Sequence, residues 1–250
     1  MKIISYTALL YGVQYLEWAI RSVIDAVDEH YIIYSPVGAH GHKTDIPCPE
    51  TREQLLAAAQ RGAGDKLRWI DAGPFPYEGA QREYIHTLVP DADGILVVDA
   101  DEVWSYGAVR AAQYAIAFGK TKRYRVPMWH YWRSFYRCVK HDPAFPIRVI
   151  CPQREESTAQ IDCHSLERCR IHHFGYAQSA EIVGWKLQTH GHRNEFRRDV
   201  DWYSQVFMTN RQYDCHPVGS EFWQPEPIMP LEYLPSWMAQ HPYYGLEIIP

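Results

Sequence analysis

The sequence predicts an α/β fold built on a mostly parallel sheet flanked by helices. Apolar strand-like segments alternate with helical patterns over residues 1–120, and 46% of the 250 residues are hydrophobic against 22% charged. Strand–helix alternation is typical of parallel sheets with right-handed crossovers, and the composition is that of a globular protein with a buried core. The net charge of -5 does not favour nucleic acid or an anionic membrane as a global partner.

Periodicity and capping signals define the individual elements. Val13 begins a helix whose apolar positions recur at helical spacing to Val27, and Thr51 with Gln54 forms a capping box that begins the second helix. The remaining helices of the first half are predicted at 78–88 and 105–118. Strands are predicted at 2–6, 31–34, 67–70 and 95–98.

The pattern changes after residue 120. Further strands are predicted within 121–150 and at 170–176, and further helices at 179–198 and 200–210. Prolines and aromatic residues are frequent from residue 217 onward, which is typical of an irregular segment lying over a core. We therefore divide the chain into 1–120, 121–216 and a C-terminal helical or irregular extension at 217–250.

The cysteines and the first residues of the chain indicate a cytoplasmic protein. The six cysteines contain no C-x-x-C pair, and a chain of 250 residues needs no disulfides to supply its core, so reduced thiols are expected. The sequence begins without a long apolar leader. No stretch approaches the roughly 18 apolar residues of a membrane-spanning helix, and we expect no membrane span.

The sharpest signal is a group of carboxylates directly after the strand at 95–98. Asp99, Asp101 and Glu102 follow four apolar residues, so they are expected at the carboxyl edge of the sheet, where ligands of such folds bind. Crowded carboxylates raise one another's pKa. A Mg²⁺ or Mn²⁺ ion would remove that cost and share its coordination with substrate phosphates. The alternative is a solvated acidic turn before the helix that begins at Ser105.

Several segments resemble the family 2-like group of GT-A glycosyltransferases, over roughly residues 1–200. They are the helix at 15–23, Asp-Ala-Asp-Glu at 99–102, Gln81-Arg82, and His173-Phe174-Gly175-Tyr176 followed by Lys186. The resemblance implies a GT-A, Rossmann-like fold. It also implies a metal-dependent, inverting enzyme that moves a sugar from a nucleotide-sugar, by default a UDP-sugar, to an acceptor hydroxyl. The first two parts of the chain would be its nucleotide-sugar-binding and acceptor-binding halves.

The same resemblance implies roles for individual residues. Asp101 and His173 would bind Mn²⁺ or Mg²⁺, with His172 as the competing ligand because adjacent strand residues point to opposite faces. Five residues would contact the nucleotide-sugar: Tyr6 and Thr7 at the nucleobase, Asp99 at the ribose or at the metal through water, and Arg82 and Lys186 at the diphosphate. A core or surface position unrelated to ligands is the alternative for each.

An inverting transfer needs a general base near the acceptor hydroxyl. Asp162, Glu167 and Glu181 are available in the second half of the chain. Asp162 is our catalytic candidate, although the sequence does not choose firmly among the three. An ordinary surface carboxylate is the alternative for each.

The acceptor could be a nucleic acid or a glycan. Residues 122–148 interleave lysines and arginines with tryptophan, tyrosine and phenylalanine, and Arg193, Arg197 and Arg198 add a second basic stretch. Basic groups beside stacking platforms are what a nucleic-acid groove requires, and a hydroxymethylated DNA base would also need flipping. The alternative is a set of strands with rings inward and arginines in water.

Two other functions would use some of these residues. A Mg²⁺-dependent nucleotidyltransferase could use the paired aspartates, although Leu9-Leu10-Tyr11-Gly12 is not a Gly-rich phosphate loop. A non-catalytic zinc-binding module is the other hypothesis, although its ligand spacings do not match paired zinc knuckles. Its candidate ligands are Cys163, His164, Cys169, His172 and His173.

Overall fold

The computed structural model describes residues 1–38, 46–139, 145–163, 168–189, 201–209, 225–226 and 230–249. Within them the chain is a mixed α/β structure with a mostly parallel seven-stranded sheet flanked by helices, and with a second sheet of five strands. The predicted α/β class with a mostly parallel sheet is confirmed; the second sheet was not predicted.

The first four strands and their helices lie close to their predicted positions. The strands are β1 (Ile3–Leu9), β2 (Glu29–Tyr34), β3 (Leu67–Asp71) and β4 (Gly94–Val97). The helices are α1 (Val13–Val23), α2 (Arg52–Ala63), α3 (Glu78–Glu83), α4 (Ile85–Leu88) and α5 (Tyr106–Phe118). One difference is that the single helix predicted at 78–88 is two short helices. The capping box is confirmed, because Thr51 Oγ1 accepts from Gln54 N at 3.2 Å and Gln54 Oε1 accepts from Thr51 N at 2.8 Å.

The order of these strands brings their carboxyl ends together. They run parallel in the order β3-β2-β1-β4, which is the order of one half of a doubly wound fold. Alternate residues of β4 face opposite layers: Leu96 packs with α5, and Ile95 and Val97 pack with Ile85 of α4. The sheet is therefore covered on both faces, which explains why β4 is apolar throughout.

The second half completes the first sheet and builds the second. Its strands are β5 (Glu102–Trp104), β6 (Arg123–Arg125), β7 (Met128–Trp132), β8 (Cys138–Val139), β9 (Ile147–Ile150), β10 (Thr158–Gln160), β11 (Ile171–Tyr176) and β12 (Pro225–Glu226). The antiparallel strand β9 joins β4 to β6 and β10, and the second sheet has the order β12-β8-β7-β11-β5.

Two later helices were predicted, and both are only partly within the described residues. Helix α6 spans Ala180–Thr189, and the rest of the helix predicted at 179–198 lies outside the described residues. The helix predicted at 200–210 is a single π-helical turn at Tyr203–Phe207. In the C-terminal segment, His241 stacks on Tyr15 of α1 with ring centroids 4.5 Å apart. No described helix is both long enough and apolar enough to cross a membrane.

Candidate active site

The acidic motif occupies a turn between the two sheets. Strand β4 ends at Val97, and a hydrogen bond of 3.0 Å from Glu102 N to Asp99 O closes the turn that leads into β5. Because β4 belongs to the first sheet and β5 to the second, the motif lies where they meet. The carboxylates therefore receive partners from both sheets.

Two arginines neutralise Asp99 and Glu102. Asp99 accepts from Arg82 at 2.9 and 3.1 Å and from Arg148 at 2.8 Å. Arg148 also donates to both carboxylate oxygens of Glu102, at 2.6 and 2.7 Å. Burial would raise the pKa of Asp99, but Arg82 and Arg148 hold it at about 2. Burial raises the pKa of Glu102, whose side chain is 1% exposed, despite the opposing effect of Arg148.

Asp101 has a different set of partners, which come from the second half of the chain. His173 Nε2 lies 3.5 Å from Asp101 Oδ1, while Lys186 Nζ and Gln178 Nε2 lie 3.4 and 3.0 Å from Oδ2. Two backbone contacts set this arrangement. Glu102 of β5 pairs with His173 of β11, and Phe174 N donates a hydrogen bond of 2.8 Å to Asp101 O. Burial opposes ionisation, but Lys186 and His173 hold the pKa of Asp101 well below its usual range.

The two adjacent histidines point to opposite faces of β11. The ring of His173 contacts Asp101 on one side and His130 on the other, with 2.8 Å between the two Nδ1 atoms. His172 is fully buried, with Nδ1 2.9 Å from Tyr131 Oη and Nε2 3.3 Å from Tyr233 O. The structure therefore brings His173, and not His172, to the acidic motif.

Backbone space at Gly175 lets His173 and Lys186 reach the aspartate. A Cβ at Gly175 would lie 2.7 and 2.8 Å from the His173 ring and 3.3 Å from Lys186 Nζ. Lys186 is 8% exposed, and its ammonium group donates to Gly175 O at 3.2 Å and lies over the Tyr176 ring. Lys186 is thus a buried part of the cluster and not a solvent-facing residue.

The charges within this cluster balance. Three carboxylates meet three fixed cations: Asp99, Asp101 and Glu102 against Arg82, Arg148 and Lys186. Basic side chains therefore already offset the repulsion among these carboxylates, which a metal ion was expected to do. Among the described residues, no group of three or more His, Cys, Asp or Glu side chains is arranged to hold a metal ion.

The residues expected at the nucleobase lie inside the sheet. Tyr6 is 1% exposed, lies next to Arg82, and burial raises the pKa of its hydroxyl to about 12. Thr7 is fully buried and donates to Val98 O at 2.6 Å. Both residues support the edge from within, and neither side chain offers a surface for a base.

Sequence reasoning missed Tyr11, which borders the cluster. Burial and then the neighbouring Asp101 carboxylate raise the pKa of Tyr11 well above its usual value. Gly12 follows with φ 130°, and a Cβ there would lie 2.5 Å from Ala100 Cβ. In the sequence, only the glycine directly after Tyr11 could have drawn attention to the segment. The other missed partners are His130, Arg148 and Gln178.

The catalytic carboxylate candidates do not join the cluster. Asp162 is exposed just beyond β10, and that strand lies three positions from β4, about 14 Å at the usual strand spacing. The structure therefore does not bring Asp162 to Asp101. Glu167 lies outside the described residues, and Glu181 is exposed in the first turn of α6.

The basic-aromatic segment at 122–148 is not an exposed stacking surface. Trp129, Tyr131, Trp132 and Phe135 are between 0% and 7% exposed. Some of the described basic residues form ion pairs with acidic side chains, as Arg148 does with Asp99 and Glu102. The described residues of this segment therefore form strands with rings inward, which was the alternative to a nucleic-acid groove. The second basic stretch, at 193–198, lies outside the described residues.

The zinc hypothesis finds no support among the described residues. His172 and His173 face opposite sides, and both ring nitrogens of His172 already have partners. Cys163 and Cys169 are neighbours, but burial is the main cause of the raised pKa of Cys163, which disfavours a thiolate ligand. His164 lies outside the described residues.

Comparisons with known proteins do not indicate a function for this chain. No family model and no curated protein matches the chain. Among solved structures it is similar to "Crystal Structure of a Mycobacterial Protein", with 14% identity, a TM-score of 0.33, and coverage of 52% of this chain and 41% of that one. It is also similar to a UDP-glucose pyrophosphorylase complexed with UDP-glucose, with 8% identity, a TM-score of 0.38, and coverage of 78% and 99%. At these values neither likeness bears on function.

Proposed function

We propose that the protein is a glycosyltransferase that binds a nucleotide-sugar, by default a UDP-sugar, at the edge containing Asp99 and Asp101. The observation that carries the proposal is the junction of the two sheets, where Asp101 and His173 lie side by side near the cations Arg82, Arg148 and Lys186. Ligand sites of open α/β sheets lie at this edge. The proposal also includes the GT-A assignment and the inverting mechanism, which both rest on the sequence resemblance.

The cations suit the diphosphate of such a donor. Arg82 is 30% exposed at its side chain and holds a planar guanidinium next to Asp99, and guanidinium groups recognise phosphate through paired hydrogen bonds. Lys186 adds a compact charge beside Asp101. Held in place before the substrate arrives, both would stabilise the charge that develops on the departing nucleoside diphosphate.

A divalent ion would fit between Asp101 and His173 if the donor completed its coordination. Two neighbouring ligands of an octahedral ion with bonds of about 2.1 Å lie about 3.0 Å apart, and Asp101 Oδ1 and His173 Nε2 are 3.5 Å apart. The contact of His130 with the other ring nitrogen would fix the His173 tautomer, as outer partners of metal-bound histidines do. Such an ion, Mn²⁺ or Mg²⁺, would supply charge neutralisation at the diphosphate.

The proposal predicts that nucleotide and metal bind together. We would measure UDP, GDP and dTDP binding by calorimetry with and without Mn²⁺, in the wild type, in Asp101→Asn and in the surface control Asp65→Asn. At least one nucleotide should bind more tightly with Mn²⁺ in the wild type and in the control. Asp101→Asn should lose this coupling, because it removes the charge of one of the two side chains proposed to hold the ion.

Product analysis separates the proposed reaction from its main alternative. A glycosyltransferase releases the nucleoside diphosphate from the nucleotide-sugar, whereas a nucleotidyltransferase makes or consumes pyrophosphate. Nucleotide binding accompanied by pyrophosphate turnover would replace the proposal with nucleotidyl transfer. Failure of all three nucleotides to bind with Mn²⁺ would contradict both.

A further inference from the structure

Helix α5 carries aromatic residues on the face that it turns to the solvent. Its inner face packs Val109, Ile116 and three alanines into the core. On the outer face, Tyr106, Tyr114 and Phe118 are 77%, 64% and 72% exposed. The other exposed large hydrophobic residues of the described chain are single positions elsewhere in the sequence. Single exposed positions are normal, whereas several large rings on one face indicate an interaction surface.

The exposed area suits the centre of a protein interface. A tyrosine or phenylalanine offers roughly 200 Å², so the three exposed fractions leave about 430 Å² of aromatic surface in water. One side of a standard interface buries about 800 Å², and the rings supply about half of that area. Arg110 and Ala117, which are exposed, and Gln113, which is half-buried, add to the same face.

The charge on this face favours a protein partner over a membrane. Helix α5 contains no acidic residue and no lysine, and Arg110 is its single charged residue. Interface cores are rich in aromatic residues and arginine and poor in lysine and acidic residues. An anionic membrane would instead require a cluster of several lysines and arginines, and the net charge of -5 opposes binding to it.

The spacing of the residues makes this face complementary to itself. Four residues form one ridge of the helix at intervals of four: Tyr106, Arg110, Tyr114 and Phe118. Two such ridges pack side by side when two helices cross at about −50°. In an antiparallel pair with a twofold axis at the level of Ala112, Tyr106 lies opposite Phe118 of the partner subunit. In the same pair, Arg110 lies opposite Tyr114 of the partner subunit.

Symmetry doubles each of these contacts. The pair of helices would contain two aromatic contacts and two contacts of a guanidinium with a ring, and both kinds are favourable. The two copies of Arg110 would be offset by about 6 Å along the helix and would not face each other. Within one chain, the rings of Tyr114 and Phe118 already contact each other, with centroids 5.0 Å apart.

We infer that the protein forms a homodimer through the outer face of α5, with the twofold axis at the level of Ala112. Closed twofold dimers are the commonest soluble oligomers, and they use the same surface on both subunits. The inference is independent of the proposed function, because none of the four ridge residues belongs to the candidate active site.

Sedimentation equilibrium of the full chain over roughly a hundredfold range of protein concentration tests the inference. The wild type should reach about twice the mass of one chain and dissociate on dilution. Phe118→Ser should weaken the dimer roughly ten- to a hundredfold, because symmetry removes two aromatic contacts at once. Tyr77→Ser, at an exposed tyrosine outside α5, is the matched control and should leave the dissociation constant unchanged. Thermal melts of the dilute variants confirm that both are folded.

Cross-linking tests the register of the two helices. Tyr106→Cys and Phe118→Cys proteins are treated with a short bismaleimide, separately and as an equal mixture. The mixture should give several-fold more cross-linked dimer than either variant alone, because positions 106 and 118 meet between subunits. Like positions are about 18 Å apart along the helices. Cross-links through the native cysteines appear in all three samples and set the background.

Three results would overturn the inference. The first is a monomer at every concentration, and the second is a dimer that Phe118→Ser does not weaken or whose cross-linking is the same in all three samples. The third comes from vesicles of phosphatidylserine and phosphatidylcholine, mixed with the wild type and with Phe118→Ser. A monomeric wild type that binds these vesicles, and loses binding in the variant, would assign the face to a membrane.

Discussion

Removal of Arg148 should destabilise the protein in a strongly pH-dependent way. In Arg148→Met the stem length is kept, but Glu102 loses both of its hydrogen bonds from the guanidinium. Asp99 keeps Arg82. Glu102 is 1% exposed, so in the variant it must either stay charged with no cation beside it, bonded only by Asp99 N at 3.3 Å, or take up a proton.

Protonation sets an upper limit on the cost. Neutralising a carboxyl group of ordinary pKa about 4.3 costs about 1.4 kcal/mol for each pH unit above that value, or about 3.7 kcal/mol at pH 7 and about 1 kcal/mol at pH 5. The sign follows from the folded state: removing Arg148 raises the pKa of Glu102 further, and a raised carboxyl pKa costs stability increasingly as pH rises. The pH 7 value agrees with the 3 to 5 kcal/mol typical of breaking a buried pair.

Urea unfolding followed by tryptophan fluorescence at pH 5, 6 and 7 would measure this cost. The matched control is Arg68→Met, because the Arg68 side chain is 46% exposed and that of its partner Glu29 is 23% exposed. Its loss should cost less than about 1 kcal/mol. The double variant Arg148→Met/Glu102→Gln should recover stability at pH 7, because no buried charge remains on Glu102. A loss below 1 kcal/mol for Arg148→Met that does not change with pH would refute the charge-balance argument.

Three further results are expected. A chelator should change the Tm of the nucleotide-free protein by less than about 2 °C, since the carboxylates are already paired, and a larger fall would point to a resident ion. Gly175→Ala should lower the free energy of unfolding in urea by about 1 to 3 kcal/mol, because the new Cβ would displace His173. The same displacement should weaken Mn²⁺-dependent nucleotide binding. Unchanged binding would argue against His173 as a metal ligand. Burial lowers the pKa of His30 and His172 to about 3 and of His241 to about 4. Below about pH 6.5 these three histidines therefore take up protons in the unfolded chain and not in the folded one. The free energy of unfolding should then fall by up to about 4 kcal/mol per pH unit on acidification. His30→Asn should reduce that slope by about a third, and a flat profile between pH 7 and 5 would contradict the burial of these rings.

Local signals were enough to predict the first four strands of the first sheet and the helices between them. Helical spacing from Val13 and the capping box at Thr51 depend on residues within one or two turns, and the structure contains both features. The position of the acidic motif could be predicted for the same reason. An apolar strand with charges directly after it is a local pattern, and its place at the sheet edge follows from general rules of α/β folds.

The second sheet depends on pairings that no local pattern reveals. Strand β5 has three residues, all buried, so it shows neither alternation nor length. Strand β8 of the same sheet has only two residues. Strands this short form because of their neighbours, and the neighbour of β5 is β11, about 70 residues further along the chain.

The partners of the carboxylates were missed for a similar reason. Arg148 was assigned to a basic surface, whereas β9 pairs antiparallel with β4 so that Ile150 opposes Ile95 and Val149 opposes Leu96. Continuing this register places Arg148 next to the end of β4. A shift of one residue would turn Arg148 to the other face of the sheet. The charge balance of the site thus depends on a strand register that the sequence does not specify locally.

The candidate site depends on the second sheet as well as on the first. Asp99 and Arg82 belong to the first half of the chain, but the partners of Asp101 come from β11 and from the chain beyond it. The two sides meet through Phe174, whose ring stacks on Tyr15 of α1 at 4.6 Å and on Tyr131 of β7 at 4.4 Å. Isolated from these contacts, Asp101 would have neither its histidine nor its lysine. The first sheet would keep Arg82 and Arg148 beside Asp99 but would lack the histidine and the lysine at Asp101, so Mn²⁺-dependent nucleotide binding at this edge should depend on folding of the second sheet as well.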